Sequence, residues 1–378
     1  MARRLTGESE SWRGTSSLAF DLWLRFIWRA RGMIMFSKPT MFIVGAGASF
    51  DYRMPLGADL VAGTAAATDF WWEHHVSHLP SRGDQALFEN LQRRCGGDKN
   101  KINLYVRSGQ MLASSLSSAV SIDDALYQLS EFPEVVELGK VCIIRTILEA
   151  ESKSALKISA DVGHLPSGAG KDGWIEQMFS MAITGLKQNE FRKKAFAQVT
   201  FINFNYDRCI EHYIFWALQR QGIPASEAEA TVAELNMIRP YGSLGSVIQG
   251  TKDYLPFGQF MKHQDYFPLT NRIRTYTESE VMHDKEVVER LVSEASMFIF
   301  LGFGFHRQNL ELLRARGDLA FRASKILATV FRVHPANVPE LHQNLQALLK
   351  VERSAELLSM EAAEILKELR MKIMMAVG

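Results

Sequence analysis

The sequence has few cysteines and no excess of charge of either sign. Cys95, Cys142 and Cys209 lie far apart and form no C-x-x-C pair, which argues against a thiolate zinc site or a disulfide framework. Lys and Arg total 43 against 42 Asp and Glu, and this balance argues against a general binder of nucleic acid or of acidic membranes. We therefore predict a soluble, cytoplasmic protein without nucleic-acid or membrane partners.

The sequence also lacks an uninterrupted apolar run of membrane-spanning length. Residues 18–36 are apolar in part, but charged side chains interrupt them at Asp21, Arg25, Arg29 and Arg31. The arginines follow the apolar residues and no small-residue cleavage site is evident, so the segment does not match a secretory signal. We interpret residues 1–34 as an extension that the fold does not need, because the first strong strand pattern begins just after it.

Continuous apolar runs indicate buried parallel strands. They occur at 40–50, 198–204, 296–302 and 326–333, and they are apolar on both faces, as in a parallel sheet that helices cover. The first three lead into helical patterns, which is typical of βα alternation. We predict an α/β protein with a Rossmann-like, doubly wound and mainly parallel sheet, whose ligands bind outside the carboxyl ends of the strands.

A large helical insertion separates the first two strand runs. Residues at about 60–195 have mainly helical patterns, and this stretch is too long for a plain crossover connection. Its Gly170-Lys171 pair does not match a P-loop, because Asp172 follows where Ser or Thr is required. We predict one nucleotide-binding domain over 35–345 and a C-terminal helical tail over 346–378.

A glycine-rich turn follows the first strand run, at Gly45, Ala46, Gly47, Ala48 and Ser49. Glycines at the end of a strand let the backbone approach a phosphate or a ribose, and the amides that follow can point at an anion. A dehydrogenase fingerprint would have a further glycine at position 50, where Phe50 stands. By itself the turn fits either a nucleotide loop or a tight turn that binds nothing.

The second strand run ends in the polar stretch "NFNYDR". In an extended chain Asn203, Asn205 and Asp207 project to the same side of the strand. Burying them without partners would cost about 1–3 kcal/mol for each side chain. We therefore predict that they surround a polar ligand or a hydrogen-bonded loop. For Asp207 alone, an N-cap of the helix that follows is an equally good explanation.

Two further turns also combine glycines with polar side chains. In "RPYGSLG" a turn centres on Gly242, and Ser243 could donate to a ligand. In "FLGFGFHRQNL" a glycine pair, Gly302 and Gly304, precedes a helix start that carries His306. Each turn alone is a common βα connection. Four such turns in one sheet favour a shared nucleotide site.

In their order and spacing these motifs resemble the sirtuin-like NAD-binding family, in particular the group without a zinc module found in bacterial anti-phage defence proteins. "GAGASFDYRMPLGADL" looks like the family's first nucleotide loop, and "NFNYDR" looks like its second motif. "PYGSLG" is similar to its short His-Gly-Ser motif, and "LGFGFHRQNL" to its late glycine strand. The helical "SIDDAL" and "ELGKVCIIRTILEAE" also look like the insertion of that group. The resemblance spans residues 39 to about 335.

The resemblance implies that NAD is bound and that no metal is required. The dinucleotide would contact the first turn, from Gly45 to Ser49, and also Gly242, Ser243, Gly302, Phe303 and Gly304. In the family's second motif the asparagine orients water or the nicotinamide ribose and the aspartate holds the ribose region, which are the roles implied for Asn205 and Asp207.

Position 241 departs from the family pattern. Tyr241 stands where the family usually has its catalytic histidine, and a phenol with an unperturbed pKa of about 10 is a poor base at neutral pH. The tyrosine could still stack on the ribose or bond to it. His306 is a second candidate for the base, although a lone histidine after a strand is more often a helix-start residue.

The implied activity is hydrolysis of NAD to nicotinamide and ADP-ribose, in an NAD-depleting defence effector that self-assembly or a separately encoded partner controls. Zinc-dependent deacetylation is not expected, because both the four-cysteine module and the histidine are missing. The alternative from another class is a catalytically silent NAD or ADP-ribose sensor, which Tyr241 favours. Two further alternatives are an interaction protein with an empty sheet and a metal enzyme built on His74 and His78.

Overall fold

The strands that the structure describes form one parallel sheet. The computed structural model describes residues 34–73, 78–158, 168–280, 285–353 and 355–378. Within these residues the strands are β1 (Thr40–Val44), β2 (Val199–Asn203), β3 (Asn236–Ile238), β4 (Met297–Leu301), β5 (Lys325–Thr329) and β6 (Glu356–Leu358). Their order is β3-β2-β1-β4-β5-β6, and each neighbouring pair is parallel. This strand order is that of a Rossmann-like, doubly wound fold, which confirms the predicted fold class.

The central strands are buried on both faces. Every residue of β1 and of β4 is buried. Alternate side chains of β1 enter opposite cores, with Met41 and Ile43 in one and Phe42 and Val44 in the other. Because helices cover both faces of the sheet, both sets of side chains have to be apolar. This is the physical origin of the continuous apolar runs in the sequence.

Seven α-helices lie in the described residues between β1 and β2, where the sequence predicts a helical insertion. They are α1 (Gly57–Thr68), α2 (Gln85–Arg94), α3 (Lys99–Leu116), α4 (Ile122–Gln128), α5 (Pro133–Lys153), α6 (Trp174–Ala182) and α7 (Phe191–Lys194). Side chains cap three of their N-termini, since Asp84, Asp98 and Ser121 accept hydrogen bonds from backbone amides of the first turns of α2, α3 and α4.

The helices after β2 complete the two layers. They are α8 (Cys209–Arg220), α9 (Ala225–Ala233), α10 (Tyr276–Glu280), α11 (Lys285–Glu294), α12 (Arg307–Glu311), α13 (Val338–Leu349), α14 (Ala362–Glu368) and α15 (Arg370–Val377). None of the helices in the described part of the chain is long and apolar enough to cross a membrane.

The two ends of the described chain meet beside the sheet. The prediction of a helical tail over 346–378 is incomplete, because β6 in this segment pairs with β5 and extends the sheet. Strands of three residues, such as β3 and β6, are too short to produce a sequence pattern. At the other end Met35 and Phe36 are buried, and the amide of Ser37 donates to the carbonyl of Val377. The interpretation of the N-terminal extension concerns residues 1–34, of which 1–33 lie outside the described residues.

The turns after β1 and β4 touch backbone to backbone. The amide of Gly45 donates to the Leu301 carbonyl at 3.0 Å, and the amide of Gly47 donates to the Gly302 carbonyl at 2.9 Å. Gly302 has a φ of 55°, and a Cβ atom at this position would lie 1.9 Å from the Ala48 nitrogen. These glycines are therefore required by the contact between the two turns, whatever they bind.

We expect Gly302→Ala to lower the free energy of unfolding by about 3 kcal/mol or more, because the added methyl group meets backbone atoms and the left-handed φ is strained. The matched control is Gly63→Ala, in the exposed interior of α1, where a Cβ atom meets nothing within 4 Å. This substitution should stabilise the protein by about 0.5–1 kcal/mol. Chemical denaturation measures both, and equal effects would contradict the assigned contact.

Candidate functional site

Two cavities meet above the contact between the turns that follow β1 and β4. The first, called here the Asn205 cavity, has a volume of about 250 Å³ and lies beside the ends of β1, β2 and β4. The second, called the Phe331 cavity, has a volume of about 200 Å³ and lies beside the end of β5. Both are lined by Gly47, Leu56, Gly302, Phe303 and Gly304. They occupy the crevice where strand order reverses between β1 and β4, which is the usual ligand position in doubly wound sheets.

A larger cavity of about 630 Å³ lies between α10, α11 and residues 311–318. It contains none of the predicted site residues and is away from the carboxyl ends of β1 and β4. Position in the fold and the chemistry of the lining therefore favour the Asn205 cavity as the functional site.

Asn205 is fixed by the first glycine turn. Its Nδ2 donates to the carbonyl of Gly45 and to Oγ of Ser49, both at 3.0 Å. Because a backbone carbonyl can only accept, this bond also sets which end of the amide is nitrogen. No donor among the described residues reaches Oδ1, and Asn205 lines the cavity. The side chain thus joins two βα turns and retains one oxygen for a ligand.

The other polar residues of the β2 end have structural partners. Oδ1 of Asn203 accepts from the amide of Asn205 at 3.0 Å, whereas its Nδ2 is buried without a partner in the described chain. Oδ1 of Asp207 accepts from the amide of Cys209 at 3.1 Å, at the start of α8. The N-cap of α8 is Arg208, so the predicted N-cap role of Asp207 is wrong by one position: its carboxylate accepts from the first amide of the helix, and Asp207 also lines the Asn205 cavity.

Tyr241 forms part of an aromatic wall. Its ring centroid lies 5.9 Å from that of Phe204 and 6.0 Å from that of Tyr206. Its hydroxyl donates to Oδ1 of Asn309 at 2.5 Å. Burial, and secondarily the charge of Asp123, raise the pKa of Tyr241 far above that of a free phenol. The hydroxyl is thus a hydrogen-bond donor and cannot be a base at neutral pH.

The remaining predicted residues divide into three groups. Those that line the Asn205 cavity are Gly45, Ala46, Gly47, Gly302, Phe303, Gly304 and His306, of which His306 is exposed at the start of α12. Ala48 and Ser49 are buried behind the cavity wall. Gly242 and Ser243 do not line it, because the backbone at Gly242 bridges to Ile273 and carries Ser243 away. Their predicted contact with the dinucleotide is therefore not supported by their placement.

Asp123 was not among the predicted site residues. It lies in the first turn of α4, lines the Asn205 cavity, and its Oδ1 is 3.4 Å from the hydroxyl of Tyr206. Burial raises the pKa of Asp123 to about 6. The segment "SIDDAL" contains the capping serine of this helix, Ser121, but nothing in the sequence brings residue 123 next to residue 206. Only the folding of the helical insertion brings these two residues together.

The cavity has an acidic character. Asp123 and Asp207 both line it, and none of the described residues in its lining is a lysine or an arginine. A cationic group is therefore a better electrostatic match for this cavity than an anion. The Phe331 cavity carries charges of both signs, since Arg332 lines it together with Asp51 and Glu361, beside the exposed rings of Phe50 and Phe331.

A fully buried ion pair holds the insertion against the site. Arg208, next to Asp207, donates through Nε to Oε1 of Glu151 on α5 at 3.0 Å and through Nη2 to Oε2 at 2.5 Å. The guanidinium also donates to the carbonyls of Leu255 and Pro256, and the amide of Gly258 donates to Glu151. Both charges are thereby satisfied although neither side chain reaches solvent.

Comparisons with known proteins do not assign the chain to a family. No family model matches the sequence, and no curated protein has a significant match to it. The resemblance to the sirtuin-like family therefore stays a prediction that rests on the motifs and their placement.

The described part of the chain offers no cluster of three or more His, Cys, Asp or Glu side chains that could hold a metal ion. Of the two histidines in the metal-enzyme alternative, His74 lies outside the described residues and His78 is exposed.

We expect Glu151→Gln to lower the free energy of unfolding by about 3–5 kcal/mol, because it leaves the charge of Arg208 buried without its partner. Glu149→Gln is the matched control, since Glu149 pairs with Lys153 on the exposed side of the same helix. The control should change stability by less than about 0.5 kcal/mol. Denaturant titration of both variants tests this, and a small effect of Glu151→Gln would disprove the anchoring role.

We expect the stability of the protein to depend on the ionisation of Asp123. Its pKa is about 6 in the folded chain and about 4 in an unfolded one, so its stabilising contribution is present below pH 4 and is lost as pH rises through 6. Between pH 4 and pH 7.5, Asp123→Asn should therefore gain stability relative to the unmodified protein, by at most about 3 kcal/mol. Asp124→Asn is the control. A pH-independent difference in urea denaturation would contradict the assigned pKa shift.

Proposed function

We propose that the protein binds NAD across the two cavities and hydrolyses it to nicotinamide and ADP-ribose. The observation that carries this proposal is the pair of cavities joined above the Gly47 and Gly302 contact, at the point where doubly wound sheets bind dinucleotides. The motif resemblance supports the same activity and also supports a role as an NAD-depleting defence effector.

The nicotinamide half of NAD fits the Asn205 cavity better than the adenosine half does. The nicotinamide ring is flat and carries a positive charge, while the cavity combines aromatic walls with carboxylates and has no lysine or arginine in its described lining. The adenosine half would then occupy the Phe331 cavity, where Phe50 and Phe331 expose 56% and 51% of their surface and offer faces for stacking.

The diphosphate would lie above the contact between the two glycine turns. The amide of Gly47 already donates to the carbonyl of Gly302, so this donor is not free for a phosphate oxygen. The phosphates would depend on the neighbouring amides and on Arg332, the one guanidinium in the described lining of the Phe331 cavity, which Asp51 and Glu361 also line. This placement orients the dinucleotide with its reactive end toward Asn205.

Hydrolysis breaks the bond between C1′ of the ribose and the ring nitrogen. The bonding electrons leave with nicotinamide, which departs as a neutral molecule and needs no acid. Water adds to C1′ of the resulting oxocarbenium-like state and releases a proton. Oδ1 of Asn205 is suited to position the water, and the carboxylates of Asp207 and Asp123 are suited to stabilise the sugar cation. One such oriented contact is typically worth about 10²–10³ in rate.

A second candidate function is a catalytically silent sensor of NAD or ADP-ribose. The placement of Tyr241 favours it, because the phenol is buried, bonded to Asn309 and unable to act as a base at neutral pH. The hydrolase remains the better supported proposal, because the chemistry of the leaving group requires no acid and Asp123 supplies a carboxylate beside the tyrosine.

The test incubates NAD with the purified full-length protein. Chromatography then measures the nicotinamide and ADP-ribose that are released. We expect release by the unmodified protein and a rate at least about 100-fold lower for Asn205→Ala. Ser49→Ala is the matched control, because it removes one hydrogen bond of Asn205 but leaves its Oδ1 in the cavity. It should retain most of the activity.

Three outcomes separate the candidates. Loss of release only in Asn205→Ala supports the hydrolase. Thermal stabilisation by NAD without release, accompanied by release from Tyr241→His, would support the silent sensor. Neither release nor stabilisation in any variant would reject NAD as the ligand.

A further inference from the structure

Asp123 reaches the Asn205 cavity only through the folded insertion. Ser121 caps α4 by accepting from the amide of Asp124, which fixes the first turn of the helix at the cavity wall. The hydroxyl of Tyr206 bridges to this turn, since it lies 3.4 Å from Oδ1 of Asp123 and 3.3 Å from the carbonyl of Arg274. The carboxyl group is therefore held in place by two separate parts of the chain.

Asp123 and Asp207, the two acids that line the cavity, have no cationic partner among the described residues, whereas three other partly or fully buried acids do. Asp84 pairs with Arg145, Glu151 with Arg208 and Glu211 with Arg239. The hydrogen bonds of Asp123 within the described chain come from Tyr206 and from the backbone of its own helix turn. A half-buried carboxylate that lacks a cation from the protein is electrostatically matched by a cation from a ligand.

The surroundings of Asp123 fit a flat cation. The rings of Phe204, Tyr206 and Tyr241 form one wall of the cavity, and aromatic faces attract positive charge. The other titratable groups in the described lining are Asp207, which is acidic, and the exposed His306. No lysine or arginine in this described lining competes with a cationic ligand.

We propose that Asp123 is the specificity-determining residue of the Asn205 cavity, and that its carboxylate selects the positively charged nicotinamide ring of oxidised NAD. This inference rests on the proposed function, which it deepens by naming the charge state of the ligand. NADH and ADP-ribose lack the cationic ring and make no such contact. After cleavage the ring leaves as neutral nicotinamide, so the attraction to Asp123 is lost on product formation.

The experiment compares ligand affinities by calorimetry at pH 7.5. The probes are carba-NAD, in which a methylene replaces the ribose ring oxygen and blocks cleavage, and ADP-ribose. We expect Asp123→Asn to weaken carba-NAD about 10- to 100-fold and to change ADP-ribose affinity by less than about twofold, because only the former carries the cation. Asp124→Asn removes the same charge from the next position of α4, outside the cavity lining, and should change neither affinity.

A second variant separates charge from folding. Asp123→Glu keeps the negative charge, and we expect it to bind carba-NAD more tightly than Asp123→Asn when both have native thermal transitions. Equal weakening of both probes in Asp123→Asn, or no weakening of either, would overturn the inference while leaving NAD binding established. Failure of the unmodified protein to bind either probe would instead refute the proposed function, and the inference with it.

Discussion

The turn after β2, the helical insertion and residues 255–258 are held together by one fully buried ion pair, between Arg208 and Glu151. Two charges that are removed from water stabilise a fold only when every donor and acceptor is satisfied, and here the backbone carbonyls of Leu255 and Pro256 complete the set. The pair therefore determines where α5 lies relative to the polar end of β2. The shape of the Asn205 cavity follows from this, because α4 and α5 both contribute to its wall.

Several polar groups at the site also form hydrogen bonds that stabilise the fold. Nδ2 of Asn205 joins the β2 end to the first glycine turn, Oδ1 of Asp207 accepts from the first amide of α8, and the amide of Gly47 completes the contact with Gly302. The groups left for a ligand are the remaining oxygen of Asn205 and the carboxylates that face the cavity. A motif that resembles a binding signature thus contains residues that would be needed even if the site were empty. Binding and folding explanations of the same residue are compatible.

The placement of charge gives the proposed ligand a direction. The Asn205 cavity combines two carboxylates with aromatic rings and has no lysine or arginine in its described lining, whereas the Phe331 cavity combines Arg332 with Asp51, Glu361 and exposed aromatic side chains. NAD has a cationic ring that matches the first cavity, a diphosphate that Arg332 can bind, and an adenine that matches the exposed rings of the second cavity. The absence of a base at Tyr241 is compatible with hydrolysis, because the cationic leaving group requires no protonation.

The sequence by itself determined the strands β1, β2, β4 and β5, because strands buried on both faces have continuous apolar runs. It also predicted that Gly45, Gly47, Gly302 and Asn205 lie at the ends of strands beside a common cavity, since glycine pairs and polar residues at strand ends are local signals. The strands β3 and β6 have three residues each, too few for a periodic pattern.

Tertiary structure alone decided that Gly242 and Ser243 face away from the cavity and that Asp123 faces into it. These positions depend on the bridge from Gly242 to Ile273 and on the contact between Asp123 and Tyr206, across 83 residues of chain. Spacing along a sequence specifies which side chains share one helix or one strand. It does not specify which helices a buried ion pair brings together, because that depends on packing between distant segments.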